Sequence, residues 1–544
     1  MTTQLTIDSP MWTEDYVWIV VIGAFAAFFA AFGIGANDVA NAFATSVGAK
    51  SITISQAVIL AAIFEFTGAL FLGNNVMETI RKDIADPDCF QSNPALLMHG
   101  MMCALFAVGF WLLLASYLKM PVSTTHSIVG AIIGMALSVK DDDCVTWYKE
   151  KDDWPYVGGV SGIVLSWVVA PLLSYGFAAI LFLAVRQFVL RSDNSYQRAF
   201  YVYPILVWVT TFVLTLFIIF KGAKGKDVAE ELGDTEEEQD GFAALIAACV
   251  ATVLVAIFCP LGLPYLRKKI DAEFANGKPT DAASKGGDVE LGSKAAVTPA
   301  GETKGNNDMI GHAKKYIETM AKDILTVDDA TQAIHDSAEK FDDKTEAFFK
   351  YIQVFTVCCD AFAHGANDVA NSIGPFAAIY IIYKNGVVQD DNELGDDAYW
   401  ILAFGGVGIV VGLALYGYKI IQVLGSDMAK ITPSRGFAIE LGAVAVIIMG
   451  SRLGIPLSTT HCQVGATCGV AHAEGRKGVN YKTLGIVIFG WIATLVVAGC
   501  TAAMFTSLGA YAPSKYGPAY EGMFQPLEQL YAGNNVTVPY TYSS

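Results

Sequence analysis

Gly35-Ala36-Asn37-Asp38-Val39-Ala40-Asn41 occurs a second time, unchanged, as Gly365-Ala366-Asn367-Asp368-Val369-Ala370-Asn371. Each copy is followed by a second polar stretch, Pro121-Val122-Ser123-Thr124-Thr125-His126 and Pro456-Leu457-Ser458-Thr459-Thr460-His461. The Asp-to-His separations, 88 and 93 residues, are similar, so a module of several helices is duplicated rather than a short motif.

Both copies lie in apolar surroundings. The 544 residues are 54% hydrophobic and only 16% charged, far below the roughly 25% charged residues of a soluble domain. Apolar blocks fall at about 17–36, 52–73, 97–119, 124–139, 158–187, 200–221 and 241–263, and again at 351–384, 400–424, 436–450, 457–473 and 484–508. This pattern predicts an all-α polytopic membrane protein with about 12 transmembrane helices. The blocks at 124–139, 436–450 and 457–473 are short for a bilayer and point to broken helices or re-entrant hairpins. A net charge of -17 and the lack of a basic, aromatic-laced stripe exclude nucleic acid as a partner.

An N-terminus placed outside makes the acidic links near 140–157, 221–240 and 385–399 external. Lys50, Lys119, Arg186, Arg435 and Arg476 then lie inside, as retention of basic residues in the cytoplasm requires. Arg81, Lys82 and Lys221 break the rule. The predicted organisation is a first membrane region, 1–263, with repeat 1 at about 17–140, and a hydrophilic cytoplasmic loop, 264–350. The first part of that loop reads as disordered, and its second, about 308–347, as one or two surface helices. A second membrane region, 351–510, carries repeat 2, and 511–544 is an external tail. The chain start lacks a basic flank, so the first block is expected to be retained as a span. Outside placement makes Cys89 and Cys144 candidates for a disulfide and Asn535, in Asn535-Val536-Thr537, a candidate for glycosylation. The acidic outer links and this sequon favour the plasma membrane.

Seven crossings and a cytoplasmic loop separate the two modules, so they enter the bilayer from opposite sides as inverted-topology repeats. Polar interruptions in inverted repeats are a mark of secondary carriers. Asp38 and Asp368 would be costly in hydrocarbon unless a cation neutralised them. With amide oxygens from Asn37, Asn41, Asn367 and Asn371 they suit a hard monovalent cation such as sodium; helix capping is the competing reading. Ser123, Thr124, Thr125, Ser458, Thr459 and Thr460 follow prolines at helix starts, where free N–H groups, hydroxyls and the helix dipole favour a tetrahedral oxyanion. His126 and His461 are candidates to donate to that anion, to carry protons or only to cap. Glu65 and Glu440 lack a positive partner in their own blocks and are candidates for an added cation site or a proton relay. No nucleophile–base–orienter set is readable, which argues against an enzyme.

At these motifs the chain resembles the inorganic phosphate transporter family, and is similar to its fungal-type sodium-coupled symporters. The resemblance implies a twelve-span inverted-repeat carrier, commonly a homodimer, that imports inorganic phosphate with sodium ions and needs no cofactor. It places Asp38, Asn41, Asp368 and Asn371 at sodium. Asn37, Asn367 and the hydroxyls of both P-x-S-T-T-H stretches fall around phosphate, and Glu65 and Glu440 match glutamates important for transport. Copy one continues Ala42-Phe43-Ala44-Thr45-Ser46 and copy two Ser372-Ile373-Gly374-Pro375-Phe376, so duplication of ligand roles is not expected to be complete. The alternative within the fold is a proton-coupled phosphate or sulfate carrier. A channel would have no need of two inverted ion-site motifs, and a receptor role would act through the loop.

Overall fold

The computed structural model describes residues 11–74, 84–140, 142–150, 156–221, 236–275, 327–388, 397–452 and 457–511, with 77, 80 and 395 singly. Asn535, Arg81, Lys82 and most of the 264–350 loop lie outside the described residues. The helices are α1 Val17–Asn37, α2 Val39–Gly48, α3 Ile54–Leu72, α4 Pro94–Tyr117, α5 Thr124–Val139 and α6 Gly159–Val185. Next come α7 Ser195–Lys221, α8 Glu236–Ala275, the short α9 Asp329–Ser337, α10 Asp343–Asp368 and α11 Ala370–Asn385. The last of the described residues form α12 Asp397–Tyr416, α13 Tyr418–Gln422, α14 Pro433–Arg452, α15 Thr459–Ala473 and α16 Tyr481–Tyr511.

Among the described residues, nine helices are long and apolar enough to cross a bilayer, against the twelve apolar blocks. The three blocks that drop out are 124–139, 351–384 and 457–473, which hold both S-T-T-H stretches and the second G-A-N-D copy. Polarity and breakage are the reason. The 16 residues of α5 span about 24 Å, short of a ~30 Å hydrocarbon core. The 351–384 block is split in two, α10 ending at Asp368 and α11 starting at Ala370.

Helix pairing is two-fold symmetric. α1 packs on α4 and α12 as α10 packs on α14 and α3, and α5 packs on α16 as α15 packs on α6. The symmetry therefore carries past residue 140 to α6; α7 and α8 come between the two units in sequence and pack on α10. Close approach depends on glycine: a Cβ on Gly35 would lie 1.8 Å from the Ile409 carbonyl oxygen, and one on Gly365 would lie 2.2 Å from that of Glu65. Without side chains there, α1 and α10 each press onto a helix of the other unit.

At one end of the molecule Cys89 and Cys144 form a disulfide with Cα atoms 5.9 Å apart. Nearby, Lys149–Glu150 and Val157–Gly158 make a two-stranded antiparallel hairpin. At the other end helices occupy both margins of the 264–350 stretch, since α8 runs to Ala275 and α10 starts at Asp343. Only α9 of the expected surface helices lies within the described residues. The segment between α9 and α10 is strapped down at Glu339, whose carboxylate takes Nε and Nη2 of Arg191 at 2.8 and 3.0 Å and Nε of Arg186 at 2.8 Å. Its carbonyl accepts from Arg435 at 2.7 Å.

Arg191, with Arg186 beside it, holds the Glu339 carboxyl below the usual carboxylate range. A depressed folded-state pKa gives stability that is present above the unfolded value and lost as pH falls through the folded one. The strap is expected to hold at neutral pH and to release below about pH 4. Faster hydrogen exchange of amides 338–342 on acidification would register this, and Glu339→Gln should reproduce it at pH 7. Because both partners are partly exposed, added salt should weaken the strap too.

Candidate functional site

The two motif copies meet in the middle of the molecule. Asp38 sits at the break between α1 and α2, and Asp368 ends α10; both are buried. The S-T-T-H stretches start α5 and α15, where Ser123 and Ser458 are the N-caps, accepting from the backbone N–H of His126 at 3.2 Å and of His461 at 3.3 Å. That capping turns the next two threonines of each helix inward. Thr124 donates to Asp38 Oδ2 at 2.7 Å and Thr459 to Asp368 Oδ2 at 2.8 Å, the same contact in each unit.

The units also cross. Thr460 donates to Asp38 Oδ1 at 2.6 Å, Asn371 donates to Thr124 Oγ1 at 3.0 Å, and Asn41 donates to Asp38 Oδ1 at 2.6 Å and Thr460 Oγ1 at 3.0 Å. Asn371 and Asn367 donate to Asp368 Oδ1 at 3.1 and 3.2 Å. Asp38 is thus held by hydroxyls from both halves of the chain. Asn41 Oδ1 is buried and finds no donor among the described residues, and an acceptor of that kind costs about 1–3 kcal/mol unless a donor or a cation reaches it. Asp38, Asp368 and His364 each offer a ligand atom within 4.8 Å of the others.

Other residues are spent differently. Asn37 donates to Ser116 Oγ at 3.0 Å and the Met120 carbonyl at 3.1 Å and accepts from Val122 N at 2.9 Å, so its amide fixes the link between α4 and α5. Thr125 donates to the Leu457 carbonyl at 3.3 Å. The His461 ring meets its helix's N-cap, Nδ1 lying 2.7 Å from Ser458 Oγ, and His126 is buried in the matching place. They face each other with ring centroids 4.5 Å apart, His126 lying 3.8 Å from Trp167 and His461 stacking on Trp491 at 3.6 Å.

Glu65 and Glu440 stand in separate places. Glu65 Oε2 meets His364 Nδ1 at 3.2 Å, and His364 Nε2 lies 2.9 Å from Asp368. Glu440 accepts from Thr45 at 2.7 Å, Ser46 at 2.8 Å and Gln353 at 3.2 Å, and also from Thr356. The hydroxyls that follow the motif only in copy one therefore serve Glu440, while Ser372 of copy two bonds its own helix at Val369 O. Sequence reading missed His364, Gln353, Thr356 and the two tryptophans. His364 had a signal, a titratable residue directly before the second motif where the first has Ile34.

A helical membrane protein with duplicated, inward-turned carboxylates and hydroxyls at the junction of two symmetric units has the build of a solute carrier. A sequence model described as the phosphate transporter family matches residues 34–502. The phosphate-repressible phosphate permease pho-4 of Neurospora crassa is 32% identical, over 89% of this chain and 96% of its own. The chloroplastic inorganic phosphate transporter 2-1 of Arabidopsis thaliana is 33% identical, over 88% and 70%. A solved structure titled as the sodium-dependent phosphate transporter superposes with a TM-score of 0.64 at 29% identity, covering 90% of this chain and 98% of that one. The chain belongs to the phosphate transporter family.

Proposed function

We propose that the protein imports inorganic phosphate by sodium symport, with sodium ions neutralising Asp38 and Asp368 beside the anion. The carrying observation is that Asp38 receives hydroxyls from both units, Thr124 and Thr460, next to the donorless Asn41 Oδ1. Sodium at Asp38, Asn41, Asp368 and Asn371 would free the hydroxyls of Thr124, Thr459 and Thr460 from the carboxylates, and these, with Asn367, Ser123, Thr125, Ser458 and the first-turn N–H groups of α5 and α15, would hold phosphate, while Asn37 keeps the α4–α5 link in place. Glu440, ringed by Thr45, Ser46, Thr356 and Gln353, suits an added cation site. Phosphate entry opposes a negative-inside potential by about 2.3 kcal/mol per charge per 100 mV, and co-bound sodium offsets that cost.

The topology we assign is twelve crossings in two inverted repeats, alternately exposing the site by rocking. Both termini are outside, 264–350 is cytoplasmic, and the protein sits as a homodimer in the plasma membrane. Proton coupling in the same fold is the second reading, favoured by His364 bridging Glu65 and Asp368. Radiolabelled phosphate uptake into reconstituted vesicles, with sodium, pH and voltage varied independently, separates the two. Saturable uptake that stops when choline replaces sodium at fixed pH is expected; equal uptake in choline would end the sodium reading.

A further inference from the structure

One face of α10 is polar from Gln353 to its end at Asp368. Gln353, Thr356, Asp360, His364 and Asp368 follow one another at helical spacing, and all are at least 97% buried. The motif alignment pairs them with Gly23, Ala26, Ala30 and Ile34 of α1 and with Asp38 just past its end, so the equivalent face of the other unit is apolar until it reaches the aspartate. That polarity is why α10, at 26 residues long enough to span, is not among the nine strongly apolar helices.

Four of the five polar side chains have partners. Gln353 and Thr356 donate to Glu440, and His364 joins Glu65 to Asp368. Asp360 lies between these clusters, about 6 Å along the axis from Thr356 on one side and from His364 on the other. It is 3% exposed and makes no hydrogen bond or ion pair among the described residues. The charged groups around it are Glu440, His364, Glu65 and Asp368, and Glu65 Oε1 is buried without a donor as well. An isolated carboxylate costs several kcal/mol in such surroundings, and packing does not explain it, since Ala30 fills the same place in α1.

We propose that Asp360 is a further cation site, a way station for the co-transported monovalent cation between the paired aspartates and the Glu440 pocket. The inference rests on the sodium-symport reading. It gives the two units unequal work: α10 carries polar side chains about one helical turn apart along the route, and α1 brings none on that face before Asp38 at its end.

The test is phosphate uptake by the full-length protein in vesicles, as a function of sodium, for wild type, Asp360→Asn and Asp360→Glu. Asp360→Asn is expected to need about five-fold or more sodium for half-maximal uptake, with the rate at saturating sodium little changed, and Asp360→Glu to recover most of the loss. Removing a buried unpaired charge should leave the melting temperature in sodium-free buffer equal or higher. A sodium-dependent wild type whose curve Asp360→Asn reproduces would overturn the assignment alone. A lower melting temperature without sodium would mark a structural carboxylate and overturn it as well. Wild-type uptake indifferent to sodium would instead remove the symport reading on which the site depends.

Discussion

Asp38→Asn and Asp368→Asn are each expected to cut sodium-driven phosphate uptake at least a hundredfold, the equivalent of about 3 kcal/mol. The substitution keeps the shape and removes the charge that a cation would neutralise. It also sets donors against donors. Asp38 accepts from Thr124 on one oxygen and from Asn41 and Thr460 on the other, so an amide in its place must turn its NH2 toward one of those groups. Uptake measured on variants that reach the membrane and elute normally in size exclusion would check this, and retention of more than a tenth of the flux would count against the aspartates as cation ligands.

Gly365→Ala is expected to destabilise the fold as strongly as any single methyl can. The new Cβ would meet the backbone oxygen and carbonyl carbon of Glu65 at 2.2 and 2.8 Å, and a backbone cannot rotate away as a side chain does. Overpacking of this kind costs about 1–3 kcal/mol or more, and here α3 must move off α10 three residues before Asp368. Gly35→Ala, 1.8 Å from the Ile409 oxygen, should behave alike. Gly485→Ala in α16 is the control, because nothing lies within 4 Å of its Cβ position. Melting temperatures in detergent should fall for the first two and hold for the third; equal values for all three would contradict the packing described.

Membrane character, the two modules and the residues of the central site were legible because hydrocarbon makes every polar residue conspicuous. Asp38, Asp368 and the threonines stood out for that reason, and the structure brings them together. What was not legible depends on distant packing. Asn37 looks like a ligand in sequence, yet its amide is occupied by Ser116, Met120 and Val122, which only the fold brings near. Glu65 and Glu440 drew one reading because both are lone acids in apolar blocks, but Glu65 is on α3 beside His364 and Glu440 on α14 among hydroxyls, helices the two-fold pairing does not equate. The polar face of α10 was hidden because Gln353, Thr356, Asp360 and His364 are diluted by the apolar residues between them, and a block count averages over faces.

The central claim is that sodium and phosphate occupy one pocket at the junction of the two units, so each must raise the other's affinity by the same factor. Equilibrium binding of labelled phosphate to the purified protein, in sodium and in choline at fixed pH, tests it most directly when sodium binding is measured with and without phosphate alongside. The account predicts phosphate affinity at least about five-fold higher in sodium, with the reciprocal gain for sodium and loss of both in Asp38→Asn. Phosphate binding of equal strength in sodium and choline would contradict it.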